Sequence, residues 1–155
     1  MRLCGQQAVW NYEEENGLLT IQGVGAMEDY TEPEQVPWNS LMQEIKVVVI
    51  RDGITTVGDY AFAGCSNLQE VTLPGSVEIV GVFSFKGCTG LREIVIPEGV
   101  RVLASKAFQF CSALKKVYLP STLIDVDMRA FGKCESLEEV FYQGSEEQWE
   151  PVSYT

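Results

Sequence analysis

Residues 68–90 read LQEVTLPGSVEIVGVFSFKGCTG, and residues 91–113 read LREIVIPEGVRVLASKAFQFCSA, with the same apolar positions in the same order. The same 23-residue unit occupies residues 45–67 and 114–136, and a fifth unit begins at Leu137. Each unit is too short to bury its apolar face alone, so neighbouring units must stack on one another. The constant period without insertions therefore predicts a solenoid.

Four apolar columns recur at this period, and their members are expected to stack from one unit to the next. The columns are Cys65, Cys88, Cys111 and Cys134; Phe62, Phe85, Phe108 and Phe131; Ile45, Leu68, Leu91, Leu114 and Leu137; and Val48, Val71, Ile94, Val117 and Val140. The phenylalanine column is expected on the wall of the core that lies opposite the strands.

Each unit is predicted to contain one strand and one short helical turn. Residues 70–74 alternate polar and apolar, and Pro74 ends the strand because proline donates no ladder hydrogen bond. Strands are predicted to begin at Val47, Glu70, Glu93, Lys116 and Glu139, with Ile50, Leu73, Ile96, Leu119 and Tyr142 pointing inward. Val77 and Val80 are assigned to a turn, and residues 85–88 to the helical turn. The predicted fold is an α/β, right-handed solenoid with a parallel sheet on one face and short helical turns on the other.

The segments on either side of the repeats are expected to cap the solenoid, because an uncapped end would expose apolar surface and a strand edge. Residues 1–44 are predicted to form a hairpin of strands 8–12 and 18–22 around Asn16-Gly17, a turn signal. A loop over residues 23–36 and a short helix over 38–44 follow. The repeats span 45–142, and residues 143–155 form a C-terminal cap and tail in which Trp149 folds over the last strand.

The repeat motif resembles a known family. Leu-x-x-Val-x-Leu-Pro, followed by Val-x-x-Val-Gly and Phe-x-x-Cys, is similar to the BspA-type leucine-rich repeat over residues 45–142. The asparagine that usually follows the strand in leucine-rich repeats is replaced by Ser76, Gly99 and Thr122. Where earlier units carry Tyr60 and Phe83, the later ones carry Lys106 and Arg129, so their helical-turn side is expected to be more solvated. The resemblance implies a bacterial cell-surface or secreted protein that takes part in adhesion and binds host or matrix proteins.

Charge and hydropathy exclude several partners. The net charge is −11, with too few clustered Lys and Arg residues for nucleic acid or an anionic membrane. No apolar run approaches the roughly 18 residues that a membrane helix needs, so membrane insertion is not expected. Residues 1–4 lack the apolar stretch of a secretory signal, which leaves either a cytoplasmic chain or a piece of a secreted one. We expect a monomer.

The residue types needed for most catalysis are missing. The chain contains no histidine, which removes the commonest general base and metal ligand. Gly23-Val24-Gly25 is only a fragment of a nucleotide-binding motif, and acidic pairs such as Glu146-Glu147 are typical of solvated turns. The sequence therefore predicts no enzyme activity, no cofactor and no metal site.

The periodic cysteines permit three interpretations. A line of four sulfurs is not the tetrahedron that structural zinc requires. The spacing between stacked repeats permits a disulfide, but parallel side chains do not converge as one needs. The remaining interpretation is a column of buried, reduced thiols. Cys4 lies outside the column and is expected to be either free or paired with a group outside this chain. It is also the only cysteine that we expect a thiol reagent to reach in the folded protein.

The outward side of the strands is the candidate binding surface. Side chains alternate across a strand, so Thr72 points outward if Val71 and Leu73 point inward. The outward positions form one column of Val49, Thr72, Val95, Tyr118 and Phe141, and a second of Val47, Glu70, Glu93, Lys116 and Glu139. An apolar stripe with an acidic border predicts a contact surface for a basic protein, anchored by Tyr118 and Phe141.

Two further interpretations of this surface stay open. β-branched and aromatic residues also favour exposed strands and stack on their cross-strand neighbours without any ligand. The repeats could then be a structural spacer or stalk that displays another domain and has no ligand of its own.

Overall fold

The computed structural model describes the backbone of residues 2–154 and their side chains, apart from those of Met128, Ser153 and Tyr154. Met1 and Thr155, at the outer ends of the predicted terminal segments, lie outside the described residues. The strands and the one α-helix of this part are β1 Ala8–Glu13, β2 Leu18–Gly23, β3 Gly25–Ala26, β4 Val47–Ile50, β5 Ile54–Val57, β6 Glu70–Thr72, β7 Ile79–Val80, β8 Glu93–Val95, β9 Val102–Leu103, β10 Lys116–Leu119, β11 Asp125–Val126, β12 Glu139–Tyr142, α1 Glu146–Trp149 and β13 Ser153–Tyr154. Short 3₁₀ helices lie at Pro33–Gln35, Asn39–Leu41 and Met128–Phe131.

The predicted parallel strands form one wall of the solenoid, which we call the strand face. β4, β6, β8, β10 and β12 begin at the five residues predicted from the sequence, and the predicted fold is confirmed. Parallel hydrogen-bonded pairing joins β2 to β4, β4 to β6, and β10 to both β8 and β12. The pairing is interrupted between β6 and β8, so the strand face consists of the sheets β1-β2-β4-β6 and β8-β10-β12.

A second parallel sheet runs along the next wall in the order β3-β5-β7-β9-β11-β13. In the repeats that span 68–136 it takes only two residues per unit, such as Ile79–Val80, where the sequence predicted a turn. The prediction of one strand per unit is therefore wrong. Two residues are too few to show an alternating pattern, and this sheet exists only through pairing with neighbouring repeats.

The third side, which we call the turn side, comprises residues 58–66, 81–89, 104–112 and 127–135. In place of the predicted helical turns, these segments are mostly non-helical turns. Some of their N–H groups donate to a carbonyl three residues earlier, and others donate to a carbonyl of the next repeat. The Cys88 N–H donates to the Phe85 carbonyl at 3.3 Å, and the Phe85 N–H donates to Ala107 of the next repeat at 2.7 Å. Because alternate N–H groups bond between repeats, an α-helical i to i−4 ladder cannot propagate here.

A stack of phenylalanine rings runs along the core beneath the turn side. The ring centroids of Phe62, Phe85, Phe108 and Phe131 are 5.2, 5.1 and 5.3 Å apart in succession. The planes of neighbouring rings differ by 22° at most. The first three rings are fully buried. One ring per repeat therefore fixes the distance between repeats along the solenoid.

Trp38 continues this stack toward the N-terminus. Its ring lies 5.5 Å from Phe62 at an angle of 19°, and its indole N–H donates to the Ala61 carbonyl at 2.8 Å. Trp10 and Tyr30 pack edge-on against it at 5.6 and 6.4 Å. Of the predicted helix over 38–44, only the 3₁₀ turn at Asn39–Leu41 is present. Trp38, the residue before this turn, is fully buried in the core.

The N-terminal segment continues both sheets although it lacks the repeat. The predicted hairpin is present as β1 and β2, with Glu13 paired with Leu18 at the turn end. β2 adds Leu19 and Ile21 to the buried columns, and β3, in the predicted loop, pairs with β5. β1 is the outermost strand of its sheet.

Hydroxyl groups replace the asparagine that the repeats lack. The Ser76 hydroxyl donates to the Ile54 carbonyl at 2.7 Å and accepts the Gly53 N–H at 3.0 Å. Thr122, two repeats later, donates to the Val100 carbonyl at 2.7 Å and accepts the Gly99 N–H at 3.0 Å. Each hydroxyl thus satisfies one carbonyl and one N–H of the preceding repeat.

The C-terminal end is less enclosed than the centre. Val140 belongs to an inward column but is 52% exposed, because β12 is the outermost strand of its sheet. α1 starts with a capping box formed by Ser145 and Gln148, and its Trp149 ring packs edge-on against Tyr142 at 5.0 Å. The backbone at residue 144 passes close to the Tyr142 ring. Only glycine fits there, since a Cβ on Gly144 would lie 2.7 Å from that ring.

The Phe108 ring should dominate the stability of the central repeats. Phe108→Ala removes a fully buried ring that stacks on both neighbours, and we expect it to lower the free energy of unfolding by about 3–5 kcal/mol. Denaturant unfolding measures this value. Ile124→Ala, at a side chain that is 49% exposed, is the control and should change stability by less than about 1 kcal/mol. An equal effect of the two substitutions would contradict the stack.

We propose that α1 caps the end of the strand face. Ser145→Ala breaks the capping box and should cost about 1 kcal/mol, whereas Ser145→Thr retains the hydroxyl and should cost little. Thermal unfolding of the two variants provides the comparison. A melting temperature that is the same for Ser145→Ala and the unaltered chain would show that α1 adds nothing to the end of the solenoid.

Candidate protein-binding surface

The outward columns lie on the strand face as predicted, with unequal exposure. Thr72, Val95 and Phe141 are exposed, and so are Glu70, Glu93, Lys116 and Glu139. Tyr118 is half-buried, and Val47 and Val49 in the first repeat are also half-buried. The exposed apolar part of the surface is therefore concentrated on β8, β10 and β12, which form one hydrogen-bonded sheet.

A pair of stacked aromatic rings lies at the C-terminal end of this surface. Parallel register places Tyr118 opposite Phe141, and their ring centroids are 5.0 Å apart with an interplanar angle of 19°. On the other side Tyr118 faces Val95, which is 51% exposed, while Phe141 is 40% exposed. The three side chains form one continuous apolar strip across neighbouring strands.

Carboxylates border this strip on one side. Register places Lys116 between Glu93 and Glu139, and Glu70 lies beyond the interruption on β6. Among residues 2–154 the only ion pair within 4.0 Å joins Arg129 to Asp127, so these four charges face solvent unpaired. The border carries three negative charges and one positive charge, which favours contact with a basic partner.

The cysteine column forms no disulfide, and its thiols donate hydrogen bonds. The Cys88, Cys111 and Cys134 thiols donate to the carbonyls of Phe62, Phe85 and Phe108 at 3.3, 3.2 and 3.1 Å. No group of three or more Cys, Asp or Glu side chains within residues 2–154 is placed to hold a metal ion. The column therefore links repeats. It is buried and reduced as the sequence predicted, except that Cys134 is only half-buried, because it lies in the last full repeat.

The accessibility of Cys4 is predicted wrongly from the sequence. It was expected to be the accessible cysteine, but it is fully buried, and the Glu28 N–H donates to its carbonyl at 2.7 Å. Burial, and then the charge of Glu28, raise the pKa of the Cys4 thiol to about 12. Among the five cysteines only Cys134 is incompletely buried.

One cleft lies away from the strand face, at the N-terminal end. It has a volume of about 880 Å³ and runs between residues 3–7 and 24–28, with Leu3 and Val24 exposed on its rims. A smaller cleft of about 330 Å³ lies between β12 and α1, beside Val140 and Trp149. The first cleft is lined by a single carboxylate, Glu28, and the second by Tyr142 and Glu146.

The stacked 23-residue units, with one strand per unit on a common wall, define a leucine-rich-repeat solenoid. Residues 40–154 match the family model of the BspA type leucine rich repeat region, in 6 copies. The chain therefore belongs to the BspA-type leucine-rich repeat family. No curated protein matches the sequence.

Solved bacterial structures share the fold. A leucine rich cell surface protein from Faecalibacterium prausnitzii matches 97% of this chain and 41% of its own length, with a TM-score of 0.76 and 22% identity. A leucine-rich repeat protein from Eubacterium ventriosum matches 91% and 43%, with a TM-score of 0.68 and 23% identity. The T. pallidum leucine rich repeat protein matches 99% and 86%, with a TM-score of 0.60 and 16% identity.

These similarities describe the repeat architecture. The chain spans less than half of the length of the first two structures. At these identities the likeness concerns the fold alone, because one fold carries many functions. Among residues 2–154 there is no helix with the length and apolar character needed to cross a bilayer.

Thiol labelling tests the cysteine column. Burial raises the pKa of Cys65 and of Cys4 to about 12, so near pH 8 almost none of either thiol is in the reactive thiolate form. We expect a thiol reagent to modify at most Cys134 in the folded protein and all five cysteines in denaturant. Rapid modification of Cys4 without denaturant, detected by peptide mass spectrometry, would contradict its burial.

Proposed function

We propose that the chain is a non-enzymatic protein-binding module of a bacterial cell-surface or secreted protein, and that it contacts a host or matrix protein through the strand face. The observation that carries this proposal is the apolar strip on one sheet formed by the exposed Val95 and Phe141 with the half-buried Tyr118 between them. Aromatic residues contribute most strongly to protein contacts when they are stacked and rigid before the partner arrives.

The chemistry of the border supports a basic partner. Glu93 and Glu139 lie on either side of Lys116 next to the aromatic strip, and the whole chain has a net charge of −11. A partner with Lys or Arg around an apolar patch would be attracted to the acidic border at long range. Its apolar patch would then displace water from the aromatic strip. Its association rate should therefore fall as the salt concentration rises.

The bacterial location rests on the family and on the neighbouring structures. The F. prausnitzii structure is described as a leucine rich cell surface protein, and residues 40–154 of this chain match the BspA-type repeat model. A module displayed outside the cell meets host and matrix proteins first. Solenoid walls suit such contacts, since they offer an extended surface that varies without disturbing the core.

The double variant Tyr118→Ser with Phe141→Ser tests the strand face. A panel of host extracellular proteins is measured for binding to the unaltered chain, and the variant is then measured against each protein that binds. We expect the variant to bind about tenfold or more weakly, because both anchoring rings are lost. The matched control is Ile79→Ser with Ile124→Ser, which removes two exposed apolar side chains away from this surface.

The outcomes separate the two functions. Undiminished affinity in a variant that still folds would move the contact away from the strand face. A chain that binds no member of the panel, and whose double variant melts at a lower temperature, would favour the spacer. In that case the Tyr118–Phe141 pair serves the sheet alone.

A further inference from the structure

The turn side differs in charge from the rest of the chain. Residues 81–89 and 104–112 contain Lys86 and Lys106 and no Asp or Glu, although the chain as a whole has a net charge of −11. The turn segment of the last full repeat, residues 127–135, contains the exposed Lys133 together with Arg129, Asp127 and Glu135 and has no net charge. The excess of positive charge is therefore confined to the two central turn segments, with Lys133 in the segment beside them.

The lysines lie over aromatic rings. The Lys86 ammonium is 5.0 Å from the centroid of the Phe83 ring and 6.0 Å from that of Phe110. The Lys106 ammonium approaches the Phe83 ring at 5.5 Å. Two positive charges thus share one ring, and within residues 2–154 neither has a carboxylate within 4.0 Å. Like charges held together without a counter-charge form a site that an anion would stabilise.

Phe110 occupies a position of positive φ that glycine fills in the two preceding units and lysine fills in the next. Gly64 and Gly87 have φ of 82° and 73°, Phe110 has 63° and Lys133 has 60°. A bulky side chain at φ 63° is strained, and the Phe110 ring is also 45% exposed. Packing does not require this ring, because glycine fills the same place in the earlier repeats.

We propose that Phe83, Lys86, Lys106, Phe110 and Lys133, which we call the turn-side patch, bind a protein segment that carries carboxylates beside apolar side chains. The lysines pair with the carboxylates, and the exposed Phe110 ring contacts the neighbouring apolar group. This site is independent of the strand face and favours partners of the opposite charge.

The composition of the patch selects a peptide over a polyanion. A polysaccharide sulfate or nucleic acid is bound by a dense array of cations, and its affinity rises with the number of charges neutralised. The patch has only three lysines, interleaved with two phenylalanines. Aromatic residues of this kind characterise the centres of protein interfaces.

A selection from a displayed random-peptide library tests the proposal. Peptides are selected on the unaltered chain and counter-selected on the Lys86→Gln, Lys106→Gln variant. The retained peptides should be enriched in Asp or Glu adjacent to Leu, Ile, Phe or Tyr. Selection without enrichment of carboxylates would overturn the proposal.

The affinity of an enriched synthetic peptide, measured by fluorescence anisotropy, then assigns the residues. Lys86→Gln with Lys106→Gln should raise its Kd at least tenfold. The control, Arg101→Gln with Lys115→Gln, makes the same change in net charge at two exposed positions outside the patch and should change the Kd less than twofold. Equal weakening by both variants would mean that only the net charge matters.

Phe110→Gly and Phe110→Asn separate binding from folding. Both residues accept positive φ, so the melting temperature should stay within a few degrees, while the Kd rises severalfold. A large fall in melting temperature for both variants would show that the ring is structural and overturn its role in binding. So would an unchanged Kd.

Two competing occupants are tested with the same protein. If a heparin fragment or an oligoglutamate binds as tightly as the enriched peptide, the turn-side patch recognises only the negative charge of its ligand. Self-association of the chain that Lys86→Gln with Lys106→Gln abolishes, measured by sedimentation, would make a second copy the occupant. Either result would overturn the acidic–apolar peptide as the ligand.

Discussion

The stack of Phe62, Phe85, Phe108 and Phe131 is the constraint on which the rest of the structure depends. Each ring makes contact with its neighbours at 5.1–5.3 Å, close to the separation of adjacent strands in a sheet. The rings, the strands and the hydrogen bonds between turns therefore share one spacing along the solenoid. An insertion within a central repeat would break all three at once, which explains why the period is constant through the centre of the chain.

The ends of the stack are where the chain departs from its period. At the N-terminus Trp38 takes the place of the next ring, and Trp10 and Tyr30 pack edge-on around it. The segment that leads there is longer than a repeat, since Leu18 pairs with Val47. At the C-terminus the chain inserts α1 before β13 rejoins the second sheet beside β11. Extra residues are tolerated at both ends because only one side of the stack has to be matched there.

The outward positions are free of this constraint and carry the functional proposals. On the strand face an aromatic strip with an acidic border suits a basic partner, and on the turn side lysines beside the half-buried Phe83 and the exposed Phe110 suit an acidic one. Both surfaces lie on rigid, hydrogen-bonded walls, so neither has to order on binding. Changes in these side chains leave the buried columns untouched. A single solenoid can therefore present two chemically opposite surfaces.

The sequence by itself determined the solenoid, the starts of the five repeat strands, the inward columns and the hairpin. It could do so because each buried position recurs four or five times, and a wrong register would place every copy on the wrong side. Only the tertiary structure decided the second sheet, whose two-residue strands have no pattern until neighbours pair with them. It also decided that Trp38, one residue out of phase with the phenylalanines, joins their stack, and that Cys4 is buried. The approach of Lys86 and Lys106 to one ring likewise joins residues from different repeats, which no periodicity along the chain records.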